Sequence, residues 1–224
     1  MSSISEESIV LNCPHCDTKS FALKFPLWET NNFLVTCDVH PLTKGHLLIM
    51  PKEHFSCIGE YPSKLLDEFL EIYKMCSGFI YSTYGSVSSF EHGIIGQTVF
   101  HSHVQMFPYA GSQNDIVTEG ASLLTAIKSI HELKTVFKNE KMYLFFSIGK
   151  NMWIVNTSIG KPRFFRDRFA KALLHPERGN WKIMRTNASL MSQAYKEIAE
   201  LTHKWKLFLS TLLSKGQSTF GRHL

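Results

Sequence analysis

The alternation of apolar and polar positions divides the chain into short extended runs and three helical ones. Ser20 to Phe25 and Asn32 to Cys37 read as strands. His46-Leu-Leu-Ile-Met50 is a short apolar run stopped by Pro51, the mark of a buried strand. From Pro62 onward, Leu65, Leu66, Phe69, Ile72 and Tyr73 recur at helical spacing, and the pattern continues to Tyr81 before Gly85 ends it. Val87 to Glu91 and Gln97 to Phe107 read as strands, the second stopped by Pro108. Tyr143 to Ile148 and Met152 to Asn156 predict a hairpin across Gly149-Lys150-Asn151. Pro162 opens a helix over Arg163 to Leu174. Leu190 to Leu213 is amphipathic, with Ile198, Leu201, Trp205, Phe208 and Leu212 on one stripe.

These elements predict an α+β fold: an antiparallel sheet with one long helix, then a mixed, mainly helical C-terminal extension. The polar, Gly-containing stretch 110–120 is the best boundary. It sets a sheet domain at residues 1–110 and an extension of hairpin and helices at 111–224, packing on that domain. Residues 1–12 read as a polar lead. A chain of 224 residues is long enough for one sizeable core plus such an extension. Hydrophobic content of 44% and charged content of 19% are ordinary for a globular protein.

A formal net charge of +5 favours anionic ligands only weakly, and no nucleic-acid polymer is expected as partner. Met1-Ser-Ser-Ile-Ser-Glu-Glu7 carries acidic residues and no apolar core, unlike a secretory signal. No apolar run approaches the ~20 residues that span a bilayer, so no membrane partner is expected. Of five cysteines only Cys13 and Cys16 are close in sequence, which argues against a disulfide framework and for a reduced, cytoplasmic chain. Cys37, Cys57 and Cys76 read as small core hydrophobes.

Candidate chemistry lies in His101-Ser-His103-Val-Gln105. On a strand, alternate side chains share a face, so His101, His103 and Gln105 form one row, while Phe100, Ser102, Val104 and Met106 face the other way. Such a row suits phosphoryl or nucleotidyl transfer. A neutral imidazole attacks phosphorus well and leaves readily afterwards. Its second nitrogen must be held as N–H, and neighbouring donors must meet the charge on the phosphate oxygens. The spacing alone equally describes a metal pair or polar residues on a solvated face. Cys13-Pro-His-Cys16 is a knuckle whose thiolates suit Zn²⁺, with His15 a rival ligand; the plainer reading is two reduced cysteines in a turn.

Two further stretches change that balance: Gly96-Gln97-Thr98-Val99, and Asp38-Val-His-Pro41-Leu-Thr-Lys-Gly45-His46-Leu-Leu-Ile-Met-Pro51-Lys52-Glu-His54. With the His-x-His-x-Gln segment they resemble the histidine triad superfamily over residues 12–108. The resemblance implies a HIT-like antiparallel sheet and a nucleotide-type phosphate ester as substrate. It makes His103 the nucleophile, through a nucleotidylated histidine. It assigns Gln97 to a phosphate and Asp38 to the ribose hydroxyls, where a carboxylate accepts both bonds in charge-assisted form; otherwise Asp38 is a turn residue. Phe33 then lines the base pocket or is a core aromatic, and His92 lies near the phosphates or is structural. Members with the knuckle complete the metal site with the positions of His54 and His101, implying structural zinc on Cys13, Cys16, His54 and His101.

Gln105 stands where hydrolase branches carry histidine. It resembles galactose-1-phosphate uridylyltransferase and the diadenosine polyphosphate phosphorylases. An amide can hold a phosphate oxygen but cannot relay a proton. The implied activity is a nucleotidyltransferase or phosphorylase, with His103, Gln105 and His101 as catalytic residues. The alternatives are a dinucleoside polyphosphate hydrolase, a nucleoside phosphoramidase, or a nucleotide-binding module without chemistry. Arg163-Phe-Phe-Arg166, with Arg168 and Trp181 beyond, resembles an element of some bacterial members. There Arg166 either reaches a phosphate through its planar fork or is a solvated arginine on a helix with core phenylalanines. The Met142 to Asn156 segment either extends the sheet or meets the partner of a homodimer.

Overall fold

The computed structural model describes residues 13–214, so the polar lead expected at 1–12 lies outside the described residues. Eight strands form one antiparallel sheet: β1 Pro26–Glu29, β2 Phe33–Cys37, β3 Leu47–Pro51, β4 Ser88–Gly93, β5 Val104–Phe107, β6 Leu124–Ile127, β7 Tyr143–Ile148 and β8 Asn151–Val155. Their order is β1-β2-β3-β5-β4-β7-β8-β6. The α-helices of the described residues are α1 Ser63–Tyr84, α2 Gln113–Ile116, α3 Glu132–Glu140, α4 Phe164–Ala172, α5 Trp181–Met184 and α6 Ala188–Ser214. The chain is therefore α+β, as its pattern predicts, with a helical C-terminal extension.

Both faces of this sheet are covered, and β7 shows why its sequence is apolar throughout. Successive strand residues point to opposite faces. Tyr143 and Phe145 join a core with Phe69 and Phe79 of α1 and Trp205 of α6. Leu144 and Phe146 join a second core with Phe165 and Phe169 of α4. Aromatic rings tie each layer: Phe79 meets Trp205 at 4.9 Å, and Phe90 of β4 stacks on Phe169 at 5.5 Å. The helix α1 stops where its pattern stops. Gly85 adopts φ +82° and donates its N–H to Tyr81 O at 2.8 Å, the left-handed cap that glycine takes without steric cost.

Two expected strands are displaced. The Ser20 to Phe25 run is instead a short 3₁₀ turn, Phe21–Leu23, capped by the Ser20 hydroxyl accepting from Ala22 N–H, and the strand begins only at Pro26. The long strand expected over Gln97 to Phe107 is confined to Val104–Phe107. Ile94 (φ +78°) and Gly96 (φ +80°) turn the chain off the sheet, and a Cβ on Gly96 would lie 2.5 Å from Lys161 O. Beyond them, Ser102 N–H donates to Phe55 O, and its hydroxyl to Glu91, in place of a strand partner.

In the extension, Ile148 pairs with Asn151, so the hairpin turns on Gly149-Lys150 with Gly149 at φ +57°. Its first strand pairs with β4, which adds the hairpin to the sheet. β6 pairs with β8 and was not evident in the pattern: Leu-Thr-Ala-Ile is four residues without clear alternation.

Candidate functional site

A cavity of ≈ 280 Å³ opens beside β5, on the face of the sheet that α4 covers. His103, one residue before β5, lines it. Its Nδ1 lies 2.7 Å from His101 O. A carbonyl only accepts, so Nδ1 carries the proton and the lone pair sits on Nε2. Nε2 has no hydrogen-bond partner among the described residues. Burial lowers the pKa of His103; the bond to His101 O and the charge of Asp38 act the other way.

Gln105 and Asp38 line the same cavity, and Arg166 joins them. Arg166 Nη1 donates to Asp38 Oδ2 at 2.7 Å and to Gln105 Oε1 at 3.0 Å. Nη2 donates to the carbonyls of His40 at 2.6 Å and Arg178 at 3.5 Å, and Nε to Gly179 O at 3.4 Å. All five guanidinium N–H groups are thereby engaged. Arg166 is neither a solvated side chain nor a free phosphate ligand; it is a buried clamp across the cavity wall. Burial alone would raise the Asp38 carboxyl, but Arg166, with His46 and the His40 N–H, holds it well below the usual carboxylate range. The Arg166 bond also orients the Gln105 amide, leaving its NH₂ end as the donor.

Several expected site residues lie elsewhere. Phe33 is fully buried in the first core, against Tyr61 and Phe69 at 5.9 and 6.0 Å, so it is a core aromatic and lines no base pocket. His92 is buried between Phe90 and Phe165, and its Nε2 accepts from Phe165 N–H at 3.1 Å. Burial drops its pKa to about 3, which keeps it a neutral acceptor pinning α4 to β4; it does not reach the cavity. Gln97 is also outside the cavity lining and donates from Nε2 to Ser56 O at 2.7 Å. His101 has both ring nitrogens engaged away from the cavity. Toward the cavity it presents only its backbone carbonyl, which orients the His103 ring.

The cavity also contains Phe21, His40 and Arg185, which the pattern did not single out, together with His15, there only a rival metal ligand, and Trp181, whose ring donates to Thr98 at 3.4 Å. They come from turns and from the four-residue α5, where no periodicity marks a face. The proximity of His15 to a cysteine pair was the one available signal.

Behind His103 lies a metal-binding arrangement. One ligand atom each from Cys13, Cys16, His54 and His101 falls within 4.8 Å of all the others. Cys16 Sγ is 3.3 Å from His54 Nδ1 and 3.4 Å from His101 Nδ1, and Cys13 Sγ is 3.6 Å from His101 Nδ1. Tetrahedral zinc, at ~2.3 Å from sulfur and ~2.0–2.1 Å from nitrogen, sets S···N separations of about 3.6 Å. The donor set fits. His101 Nε2 lies 2.8 Å from Pro51 O, which places its proton there and its lone pair on Nδ1, toward the thiols. The knuckle turn is closed by Cys16 N–H and Asp17 N–H on Cys13 O, each at 3.1 Å. His15, the rival ligand, is outside the quartet and turned toward His103.

Residues 23–111 match the HIT domain family model. The chain is 27% identical over 115 residues to an uncharacterized HIT-like protein of Borreliella burgdorferi, covering 49% of this chain and 83% of that protein. It is 31% identical over 87 residues to adenylylsulfatase HINT3 of Arabidopsis thaliana, covering 37% of this chain and 44% of that one. A hypothetical histidine triad nucleotide-binding protein of Sulfolobus tokodaii is similar in structure, with TM-score 0.39 and 27% identity, over 45% of this chain and 71% of that chain. The family match over residues 23–111 and the antiparallel sheet it falls on establish a HIT-like α+β fold for this chain.

Proposed function

We propose that this chain transfers a nucleotidyl group from a nucleotide phosphate ester through His103. Nε2 attacks phosphorus, the P–O bond to the leaving group breaks with its electron pair going to oxygen, and a P–N bond forms. In the second half an acceptor oxygen attacks the same phosphorus, the P–N bond breaks, and the pair returns to Nε2. The observation that carries this reading is the fixed tautomer of His103: Nδ1–H is held by His101 O while Nε2 stays unpaired at a cavity wall. Gln105 would donate from its NH₂ end to a phosphate oxygen. Arg185, exposed at the rim, is a cation able to meet an anionic substrate. Asp38 would accept from the ribose hydroxyls on lone pairs that Arg166 leaves open. Bound zinc would have four protein ligands and no open position, so it supplies structural cross-linking of the knuckle to the segment before His103.

Gln105 favours an acceptor other than water. General acid–base help from an imidazole at that position is worth roughly 10²–10⁴-fold, and an amide gives none. Phosphate acceptors and leaving groups need little proton transfer at neutral pH. A second reading, hydrolysis, is favoured by the similarity to a relative named adenylylsulfatase.

A labelled dinucleoside polyphosphate tests both points. The protein should acquire covalent label at His103, and His103→Ala should acquire none while keeping its fold. Adding orthophosphate or a sugar phosphate should speed release of the label. Near wild-type turnover by His103→Ala would overturn the nucleophile; release only to water, at a rate indifferent to phosphate, would select the hydrolase.

A further inference from the structure

His15 stands between two cysteines assigned to the metal, yet it serves neither metal nor core. Its side chain is 8% exposed and lines the cavity. Its ring meets the His103 ring edge-on, with centroids 5.0 Å apart and planes at 83°, and the His101 ring at 5.6 Å. Its Nδ1 is buried with no hydrogen-bond partner. A buried imidazole nitrogen without a partner is costly, and such groups in native structures usually answer to a ligand or a bound water. The knuckle turn fixes the backbone on both sides of His15, so the ring is delivered to one place. Gln105 lines the same cavity, at the position where the motif's third imidazole would be.

We propose that His15 contacts the phosphoryl group that His103 attacks, donating a ring N–H to one of its oxygens. This rests on His103 being the nucleophile. The chain then has an imidazole at the phosphorus after all, supplied from the metal knuckle and not from the strand. His15 donates to a non-bridging oxygen and holds it in the trigonal arrangement of the transition state, so its effect falls on the rate of the chemical step more than on substrate binding. Gln105 and His15 hold the phosphoryl group from two sides, while Nε2 of His103 approaches between them.

The test compares wild type, His15→Phe, His15→Asn and His15→Gln. Phe keeps a ring without polar atoms; Asn and Gln keep an N–H donor near one or the other ring nitrogen. The readout is the single-turnover rate of His103 labelling by diadenosine tetraphosphate labelled at the α-phosphate, quenched in alkali where the P–N bond survives. Zinc content and melting temperature are measured alongside. We expect His15→Phe to label roughly 100-fold more slowly, the scale for losing one transition-state donor, with zinc and stability unchanged. At least one of the two amide variants should recover much of the rate. Labelling of His15→Phe at the wild-type rate overturns the proposal, as does failure of both amides to exceed Phe. Loss of zinc together with label would put His15 in the metal shell and overturn it too. Absence of label on wild type is a separate result: it removes the His103 reading itself, and His15 with it.

Discussion

Glu91 shows how much a single buried side chain can hold. Oε1 accepts from Ile58 N–H at 3.0 Å and from the Ser102 hydroxyl at 2.7 Å, while Oε2 accepts from the Tyr143 hydroxyl. It thereby joins β4, β7, the turn at residue 58 and the segment between the two motif histidines. Burial raises its carboxyl to about 7, with no cation among the causes. In the unfolded chain the same group loses its proton near 4.3. Between those values the folded state binds more protons than the unfolded one, so stability falls as pH rises through the window, by on the order of 2–3 kcal/mol. Glu91→Gln should remove that slope. Urea denaturation near pH 5 and pH 8 checks it as a difference: buried neutral histidines such as His92 add stability as pH rises in both proteins, so the change from pH 5 to pH 8 should be more favourable in the variant than in wild type by about that amount. Parallel pH profiles for the two would mean Glu91 is ionised in the fold. At this scale the sequence was readable where a motif fixes spacing, as for His103, Gln105 and the Cys13, Cys16, His54, His101 set. Glu91, His15 and Arg166 were not readable in their roles, because each depends on what a distant segment places beside it.

Among elements, the knuckle and the turn at 94–103 carry the site between them. The knuckle alone has two thiols in a tight turn and almost no core of its own; Cys13 is its buried apolar contact. A metal that binds only the native arrangement contributes its binding energy to folding. Cys13→Ser should therefore lose the metal and stability together. A loss of even ~2 kcal/mol lowers the melting temperature by roughly 4–8 °C in a chain this size. Elemental analysis of protein purified without added metal should give one zinc per chain for wild type and far less for the variant. Unchanged metal content and melting temperature would remove zinc from the account. The strand pattern misjudged this region in an instructive way. Gln97 to Val104 alternates as a strand would, but Gly96 sits against Lys161 O where a Cβ would not fit, and its left-handed φ of +80° turns the chain off the strand. Lys161 lies some way down the chain, outside any local window. The hairpin and α1 were legible because a glycine in the left-handed region closes each of them locally.

For the whole molecule, the second covered face of the sheet matters most. The phenylalanines of α4 were visible as an apolar stripe, but nothing in their spacing says which face of which sheet they meet. In the fold they bring Arg166 to Asp38, across 128 positions of sequence, as a buried ion pair. Removing one member of such a pair strands the other charge in a dry site, at a cost of about 3–5 kcal/mol, whereas replacing both by apolar groups costs far less. Arg166→Met should lower the denaturation midpoint by that scale, and the additional change Asp38→Leu should restore part of it. Additive losses from the two changes would show that the pair is not coupled. The first half of the chain announces the sheet, the proposed nucleophile and the four side chains of the candidate metal site. The closing wall of the cavity belongs to residues 166, 181 and 185; the Phe-Phe-Arg stretch marks the first two without fixing their place, and nothing marks the third.

That wall sets an order of assembly during synthesis. Chains leave the ribosome from the N-terminus, and early segments begin to organise before late ones exist. By residue 111, His103, Cys13, Cys16 and Asp38 have all emerged, and the candidate metal quartet is complete in sequence. The clamp is absent until α4 has followed, so Asp38 and Gln105 have no common partner until then. A nascent chain thus carries His103 for some fifty residues of growth before the pocket around it can close.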